Sequence, residues 1–277
     1  MSSGVYPFKV GSIECAVVSD GTANLIPNAA EILFQNAPPE ERDQALRSHG
    51  IPGLDIPYRA NCLYIRTPEH QVLVDTGFGG AVHPDMGKLV GNLGSMGVQP
   101  EDIDTLIITH AHGDHIMGVC DATGKLTFPN ARHVMGKTEW DYWQGVTENA
   151  FMEAVLKIYL PAIKDRVELV ADDAEIVPGV KLFAAPGHTP GHVGVSVTSD
   201  GAELLHIVDT VLDPIQMEHP DWVSMPDMLK DQVVETRHQV LARAAASGAL
   251  VLAYHFAFPG LGHVLADGAG WKWVAGS

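Results

Sequence analysis

Cysteine is scarce in this chain. Cys15, Cys62 and Cys120 are scattered through 277 residues, odd in number and without a Cys-x-x-Cys pair. That excludes a disulfide framework and points to a reducing, cytoplasmic setting. Basic residues are also few: 17 Lys and Arg stand against 34 Asp and Glu, a net charge of −17. Such a field repels phosphate backbones and anionic membrane surfaces, so nucleic-acid and membrane partners are disfavoured, although bound cations would offset it locally. No apolar run approaches the ~20 residues that span a bilayer. The opening Met1-Ser2-Ser3-Gly4-Val5-Tyr6-Pro7 lacks the basic region and apolar core of a signal peptide. Gly-x-Ser-x-Gly elbows, P-loops and Ser/Lys nucleophile patterns are missing as well. Thr76-Gly77-Phe78-Gly79-Gly80 lacks the third glycine of a dinucleotide loop, and no acidic residue sits where a ribose partner should be.

What is present is a chain rich in apolar residues (46%), with 18 prolines and 28 glycines, as expected of a layered α/β protein with many turns. No linker, repeat or break in composition divides it, so residues 1–277 read as a single domain. Strands are expected at Ile13–Ser19, Cys62–Arg66, Gln71–Asp75, Thr105–Ile108, Ala131–Met135, Val180–Ala184 and Ala249–Tyr254. Val193–Thr198 and Glu203–Val208 form a hairpin around Ser199-Asp200-Gly201, and Asp20-Gly21 reads as a turn. Helices are expected over Pro39–His49, through the stripe Met86, Leu89, Val90, Leu93 and Met96, over Thr138–Gln144 and Asn149–Ile163, and from Pro226 to Ser247. Ile26–Ile56 is long and mixed: a substrate lid, a dimer contact or a solvated connection. Trp140, Tyr142, Trp143, Phe151, Met152 and Tyr159 suit core packing and also an apolar wall beside a pocket, as does 256–258.

The chemistry concentrates in Thr109-His110-Ala111-His112-Gly113-Asp114-His115. Extended backbone points His110 and His112 to the same side. Gly113 permits a sharp turn, after which Asp114 and His115 can face back toward them. Three imidazoles and a carboxylate at this density make a site for zinc or a similar divalent ion. His110, His112, His188, Asp209 and His255 each directly follow an apolar strand, and in mixed or parallel sheets such strand ends gather at one edge. Seven potential ligands exceed what one tetrahedral zinc needs. Two metals would use them all: His110, His112 and His188 on the first, Asp114, His115 and His255 on the second, and Asp209 between them. Two cations about 3.5–4 Å apart can share a water and lower its pKa to give hydroxide at neutral pH. Asp114 is then the proton-transfer residue while it coordinates. Asp75 steadies the site from behind, or shapes a turn. His192 supports the loop, and His263 packs near the last strands. His49, His70, His83, His133, His206, His219 and His238 have no ligand spacing.

His-x-His-x-Asp-His, followed by Pro186-Gly187-His188-Thr189-Pro190-Gly191-His192, Asp209 and His255, resembles the metallo-β-lactamase superfamily from Val72 to His255. The resemblance implies a four-layer αββα sandwich with a metal centre at one edge of the two sheets. Asp209 is similar to the aspartate of the lactonase, thioester-hydrolase and phosphotriesterase branches; the commonest zinc β-lactamases carry cysteine in that role. Ala253 to His263 and Val18-Ser19-Asp20-Gly21-Thr22 resemble the methyl parathion hydrolase and lactonase branch. That branch implies a binuclear, homodimeric hydrolase of small, neutral, fairly apolar lactones, aryl esters or organophosphate triesters. Its metals are zinc first, with manganese, cobalt or iron as alternatives. Quorum-signal lactonases often carry a tyrosine three residues after the bridging aspartate; here that position is Leu212. A mononuclear-iron persulfide dioxygenase of the same fold, a thioester hydrolase and a protein with a merely structural metal are the competing expectations.

Overall fold

A computed structural model describes residues 4–80, 82–150 and 152–276. Met1–Ser3 of the N-terminal stretch and Phe151 of the aromatic segment lie outside the described residues. Strands β1 (Val5–Val10), β2 (Ile13–Ala23), β3 (Tyr58–Arg66), β4 (Gln71–Val74), β5 (Thr105–Ile108), β6 (Arg132–Gly136) and β7 (Val167–Val170) form one sheet in chain order. Its first four strands are an antiparallel meander, and β4 to β7 run parallel. The second sheet comprises β8 (Glu175–Val177), β9 (Val180–Ala184), β10 (Val193–Ser199), β11 (Ala202–Val208), β12 (Leu250–Ala253), β13 (Leu261–Asp267) and β14 (Gly270–Ala275). Only β11 and β12 pair in parallel there.

Period-2 alternation places each sheet between two apolar layers. Cys15 and Val17 of β2, with Leu63 and Ile65 of β3, face Val180, Leu182, Val195 and Val197 across the sheet interface. Their neighbours Ala16, Val18, Cys62 and Tyr64 point the other way, into the helical layer on the first sheet. Leu205, Ile207, Val251 and Ala253 cover the outer face of the second sheet. The result is the four-layer αββα sandwich.

The helices are α1 (Ala29–Leu33), α2 (Pro39–Ser48), α3 (Leu89–Ser95), α4 (Gly113–Ile116), α5 (Lys137–Gly145), α6 (Leu160–Ile163), α7 (Ile215–Glu218) and α8 (Lys230–Ser247). Helix α8 buries Val233, Arg237, Val240, Leu241 and Ala244 along one stripe and stops at Gly248, whose φ of 66° is left-handed. Residues 26–56 are packed rather than a solvated connection. Phe34, Ala37, Leu46 and Ile56 form their own apolar cluster with Ile215 and Trp222, and Gln35 N–H donates to the Val223 carbonyl.

Three expectations need correction. Asp20-Gly21 is no turn: β2 runs on to Ala23 with its register shifting between Ser19 and Gly21. Asp20 is buried, and its carboxylate accepts N–H groups of Phe78, Gly87 and Leu89, which pins the loop after β4. The long helix starts at Lys230 rather than Pro226. Residues 227–229 are held instead by the loop of His188: Met228 N–H donates to the His188 carbonyl and Leu229 N–H to that of Gly187. The expected helix at Asn149–Ile163 includes a π turn, Val155–Tyr159, before α6. The aromatic segment is mainly core: Trp143 and Phe256 are almost fully buried, Phe256 against Trp273 on the outer face of the second sheet. No helix among the described residues is long and apolar enough to cross a membrane.

Candidate metal centre

All seven residues named from their spacing meet at one edge of the sandwich. Each arrives on a connection that leaves a strand. His110 and His112 follow β5, His188 follows β9, Asp209 follows β11 and His255 follows β12, while Asp114 and His115 sit in α4. Gly113 is helical, so the sharp turn belongs to His112, the extended cap residue at φ −66° and ψ 151°. Gly187 takes φ 131°, and a Cβ there would lie 2.4 Å from the Val233 backbone. Glycine therefore lets the His188 loop close against α8.

The donor atoms fall into two groups: His110, His112 and His188, and Asp114, His115, Asp209 and His255. Within each group they lie within 4.8 Å of one another. Asp209 touches both groups. Its Oδ2 is 3.1 Å from His188 Nε2, 3.8 Å from His110 Nε2 and 3.2 Å from His255 Nε2. Its Oδ1 is 3.3 Å from His115 Nε2. His112 Nδ1 is 2.9 Å from His188 Nε2, and Asp114 Oδ2 is 3.0 Å from His115 Nε2 and 3.5 Å from His255 Nε2.

The residues fit two divalent ions. His110 Nε2, Asp114 Oδ2, His115 Nε2 and Asp209 Oδ1 are buried with no hydrogen-bond partner. Unspent buried donors aimed at common points are costly unless a ligand takes them up. The far side of three of these rings is spoken for. His115 Nδ1–H donates to Asp75 at 2.8 Å, His188 Nδ1–H to Asp227 at 2.8 Å and His255 Nδ1–H to the Arg59 carbonyl at 2.6 Å. Carboxylates and carbonyls only accept, so each contact fixes the tautomer that leaves Nε2 free for a cation. Asp75 also accepts from Thr109 N–H and Oγ1–H. His192 is no ligand: its Nδ1–H donates to the Ala185 carbonyl, and its Nε2 accepts the N–H of Asp209. His263 sits on β13 with its Nδ1–H on the Ala249 carbonyl.

Two connections carry strain toward the centre. Val208, immediately before Asp209, has φ 47°, and Asp75 has φ 61°. A β-branched residue at positive φ is a true outlier. It follows a register shift between His206 and Val208, and together these aim the Asp209 carboxylate.

Sequence reading passed over several supporting residues. Glu139 of α5 is fully buried. Its Oε1 accepts Ala111 N–H and Trp143 Nε1–H, and its Oε2 accepts Thr189 Oγ1–H and Gly191 N–H. It ties the loop of His110 to the loop of His188. An acid four residues before a core tryptophan, on the same helical face, was the available signal. Asp227 accepts both the N–H and the Oγ–H of Ser224 at its other oxygen. Buried Arg237 donates Nε–H to the Thr210 carbonyl beside Asp209 and Nη1–H to Pro220 and Trp222. Tyr254 donates its hydroxyl to the Asp114 carbonyl. Tyr58 and Phe78, half-buried and 5.6 Å apart, form the aromatic rim. Among the described residues of the aromatic segment, Trp143 packs beside the centre, 6.2 Å from the His112 ring.

Electrostatics divide the imidazoles. Burial holds His110 well below its ordinary pKa and lowers His112 to about 3. Burial also acts to lower His188, but Asp209 and Asp227 outweigh it and raise the ring to about 9. His115 is likewise driven well above its ordinary value by Asp114, Asp209 and Asp75, against the effect of burial. Burial opposes ionisation of Asp114 and Asp209, yet the neighbouring imidazoles hold both carboxyls below the usual range. Cations must therefore displace protons from His115 and His188. Metal uptake at neutral pH is expected to release protons, so apparent affinity should rise with pH, the His188 share of that rise ending near pH 9. Calorimetric titrations in buffers of different ionisation enthalpy read this directly; affinity flat with pH below that point would contradict it.

Known proteins resemble this chain. The family description "Metallo-beta-lactamase superfamily" matches residues 55–263. The chain is 30% identical over 166 residues to an N-acyl homoserine lactonase of a Bacillus species, covering 53% of this chain and 60% of that protein. It is 28% identical over 167 residues to an N-acyl homoserine lactonase of Bacillus thuringiensis, covering 53% and 62%. It thus spans about three fifths of the length of these curated relatives. Among solved structures, AidC, a dizinc quorum-quenching lactonase in complex with a product, superposes with a TM-score of 0.93 at 27% identity over 99% of this chain and 98% of that one. The hydrolase AbOPH superposes at 0.88 and 25% identity over 100% and 99%. With the sandwich, the converging ligand set and the family match in agreement, the chain belongs to the metallo-beta-lactamase superfamily.

Proposed function

We propose that this protein is a binuclear metal-dependent hydrolase of neutral, fairly apolar lactones, N-acyl homoserine lactones first, with aryl esters and organophosphate triesters as secondary substrates. The observation that carries this reading is the division of the seven donors into two groups sharing Asp209. The N-acyl homoserine lactonases among its relatives and the dizinc lactonase AidC support the substrate class. His110, His112 and His188 would hold one ion, Asp114, His115 and His255 the other, with Asp209 between them. Imidazole and carboxylate donors suit zinc, and manganese, cobalt or iron(II) fall within their range. When bound, such a pair lowers the pKa of water and polarises an acyl oxygen.

The chain's own groups do the rest. Asp75, Asp227 and the Arg59 carbonyl keep three rings in the ligating tautomer. Asp114 accepts the proton that the attacking water loses and returns it to the ring oxygen as the acyl C–O bond breaks, which leaves a carboxylate and an alcohol. Tyr58 and Phe78 supply an apolar rim for the acyl chain.

The test is a hydrolysis screen of acyl homoserine lactones, aryl esters and phosphotriesters with metal-loaded protein, alongside metal analysis. Lactone opening should lead, chelation should abolish it and two equivalents of zinc should restore it. Full turnover after stripping would refute the reading. One iron per chain with no hydrolysis would replace it with the mononuclear dioxygenase.

A further inference from the structure

We propose that Arg237 is a positioning residue for the metal centre: its guanidinium fixes the two loops that carry His188 and Asp209, and it acts on the ion of the His110, His112 and His188 group more than on the other. This rests on the binuclear reading above. Arg237 interrupts the buried stripe of α8, which is otherwise apolar at Val233, Val240, Leu241 and Ala244. A methionine or leucine would pack there without electrostatic cost. A buried guanidinium is costly unless it is paired and hydrogen-bonded.

The head group is held at three points. Nε–H donates to the Thr210 carbonyl at 3.0 Å, and Nη1–H groups donate to the Pro220 and Trp222 carbonyls at 2.7 Å each. Three carbonyls fix the plane of the fork. They place Nη2, which makes no hydrogen bond, 3.9 Å from Asp227 Oδ2. That carboxylate takes His188 Nδ1–H on its Oδ1 at 2.8 Å. Arg237 therefore meets the centre along two routes, one through Asp227 to His188 and one through Thr210 to the adjoining Asp209. Its helix neighbour Thr236 grips the same side, donating its hydroxyl at 2.6 Å to the carbonyl of Pro186 in the His188 loop. His115, His255 and Asp114 are held by Asp75, the Arg59 carbonyl and Tyr254 instead. Loss of the guanidinium should thus be felt unequally by the two ions.

The experiment draws zinc from the loaded protein with a competing chelator of known affinity. It compares wild type, Arg237→Lys, Arg237→Gln, Asp227→Asn and the double variant Arg237→Lys with Asp227→Asn. His112→Ala removes a donor from the first group alone and so marks that group's release step. Wild type should release two ions. Lysine keeps the charge but cannot span three carbonyls. Arg237→Lys should therefore hold the first ion about 10–100-fold more weakly, while the second changes by about threefold at most. Asp227→Asn should weaken the same ion, and the double variant should fall short of the product of the two losses, because both changes cut one route. Equal weakening of both ions in step with a lower melting temperature would overturn the assignment, since the arginine would then serve the fold alone. So would wild-type affinity in Arg237→Lys, fully multiplicative losses in the double variant, or failure of both Arg237→Lys and Arg237→Gln to fold. A wild type that releases one zinc or none would instead overturn the binuclear reading, and this assignment with it.

Discussion

Replacing Asp209 with alanine is expected to remove more hydrolytic activity than any other single change. Its carboxylate lies within 3.1 to 3.8 Å of four imidazoles, two from each donor group. Losing it separates the groups and leaves the others to hold cations against mutual repulsion. Metal-assisted stabilisation of a transition state is worth several kcal/mol, and about 4 kcal/mol corresponds to about a thousandfold in rate. A loss of at least that size is expected on every substrate the protein turns over, with bound metal falling from two ions per chain to one or fewer. Asp209→Asn keeps the shape and one acceptor oxygen, so it should retain one ion and more of the fold's stability than alanine. Mass-spectrometric metal counting with steady-state kinetics decides the matter. Two ions per chain and activity within tenfold of wild type would mean that Asp209 does not bridge.

Glu139→Ala is expected to cost the most stability. Four buried donors, from Ala111, Trp143, Thr189 and Gly191, converge on this one carboxylate. Leaving a buried donor unpaired costs about 1–3 kcal/mol. Some relaxation will occur, so a total near 3–5 kcal/mol is expected, at the upper end for a single substitution. Urea denaturation of the metal-free protein measures it without interference from metal linkage. Function should fall as well, because Glu139 holds the His110 loop against the His188 loop, and lost support behind ligands typically weakens metal binding about 10–100-fold. Burial pushes the Glu139 carboxyl up even though its four donors pull it down. The site thus maintains a charge that its surroundings disfavour, which suits a tie that must accept at both oxygens. Glu139→Gln is the sharper test. One end of the amide still accepts, while the other presents N–H to existing donors. Wild-type stability and metal affinity in Glu139→Gln would refute the tie.

The distribution of what could be read from the chain follows the range of the forces involved. His110 to His115 is local: strand, cap and helix geometry over a few residues decides where those rings point, and spacing expresses it. The apolar runs at Cys15–Val18 and Cys62–Ile65 likewise announced strands, and the folded chain covers both of their faces. Strands at or next to the sheet edges were harder. β1, β7, β8, β13 and β14 are short or part-exposed, with weak alternation. Phe256 illustrates the reverse error: its place directly after His255 suggested a pocket wall, but the chain turns it into the core on Trp273.

The residue types by themselves determined that strand ends carry a dense set of imidazoles and carboxylates, and that such a set suits borderline divalent ions, because ligand chemistry belongs to the side chain. Only the tertiary structure decided which buried acids serve them. Glu139 and Asp227 lie 52 and 39 positions from partners they hold, and the contact of Asp75 with His115, 40 positions away, decides between the supporting role and the turn that the sequence had left open. Crossover path and sheet register bring such residues together, and the strained φ values at Val208 and Asp75 aim them. No local spacing encodes those terms, since they exist only once two sheets have closed on one another.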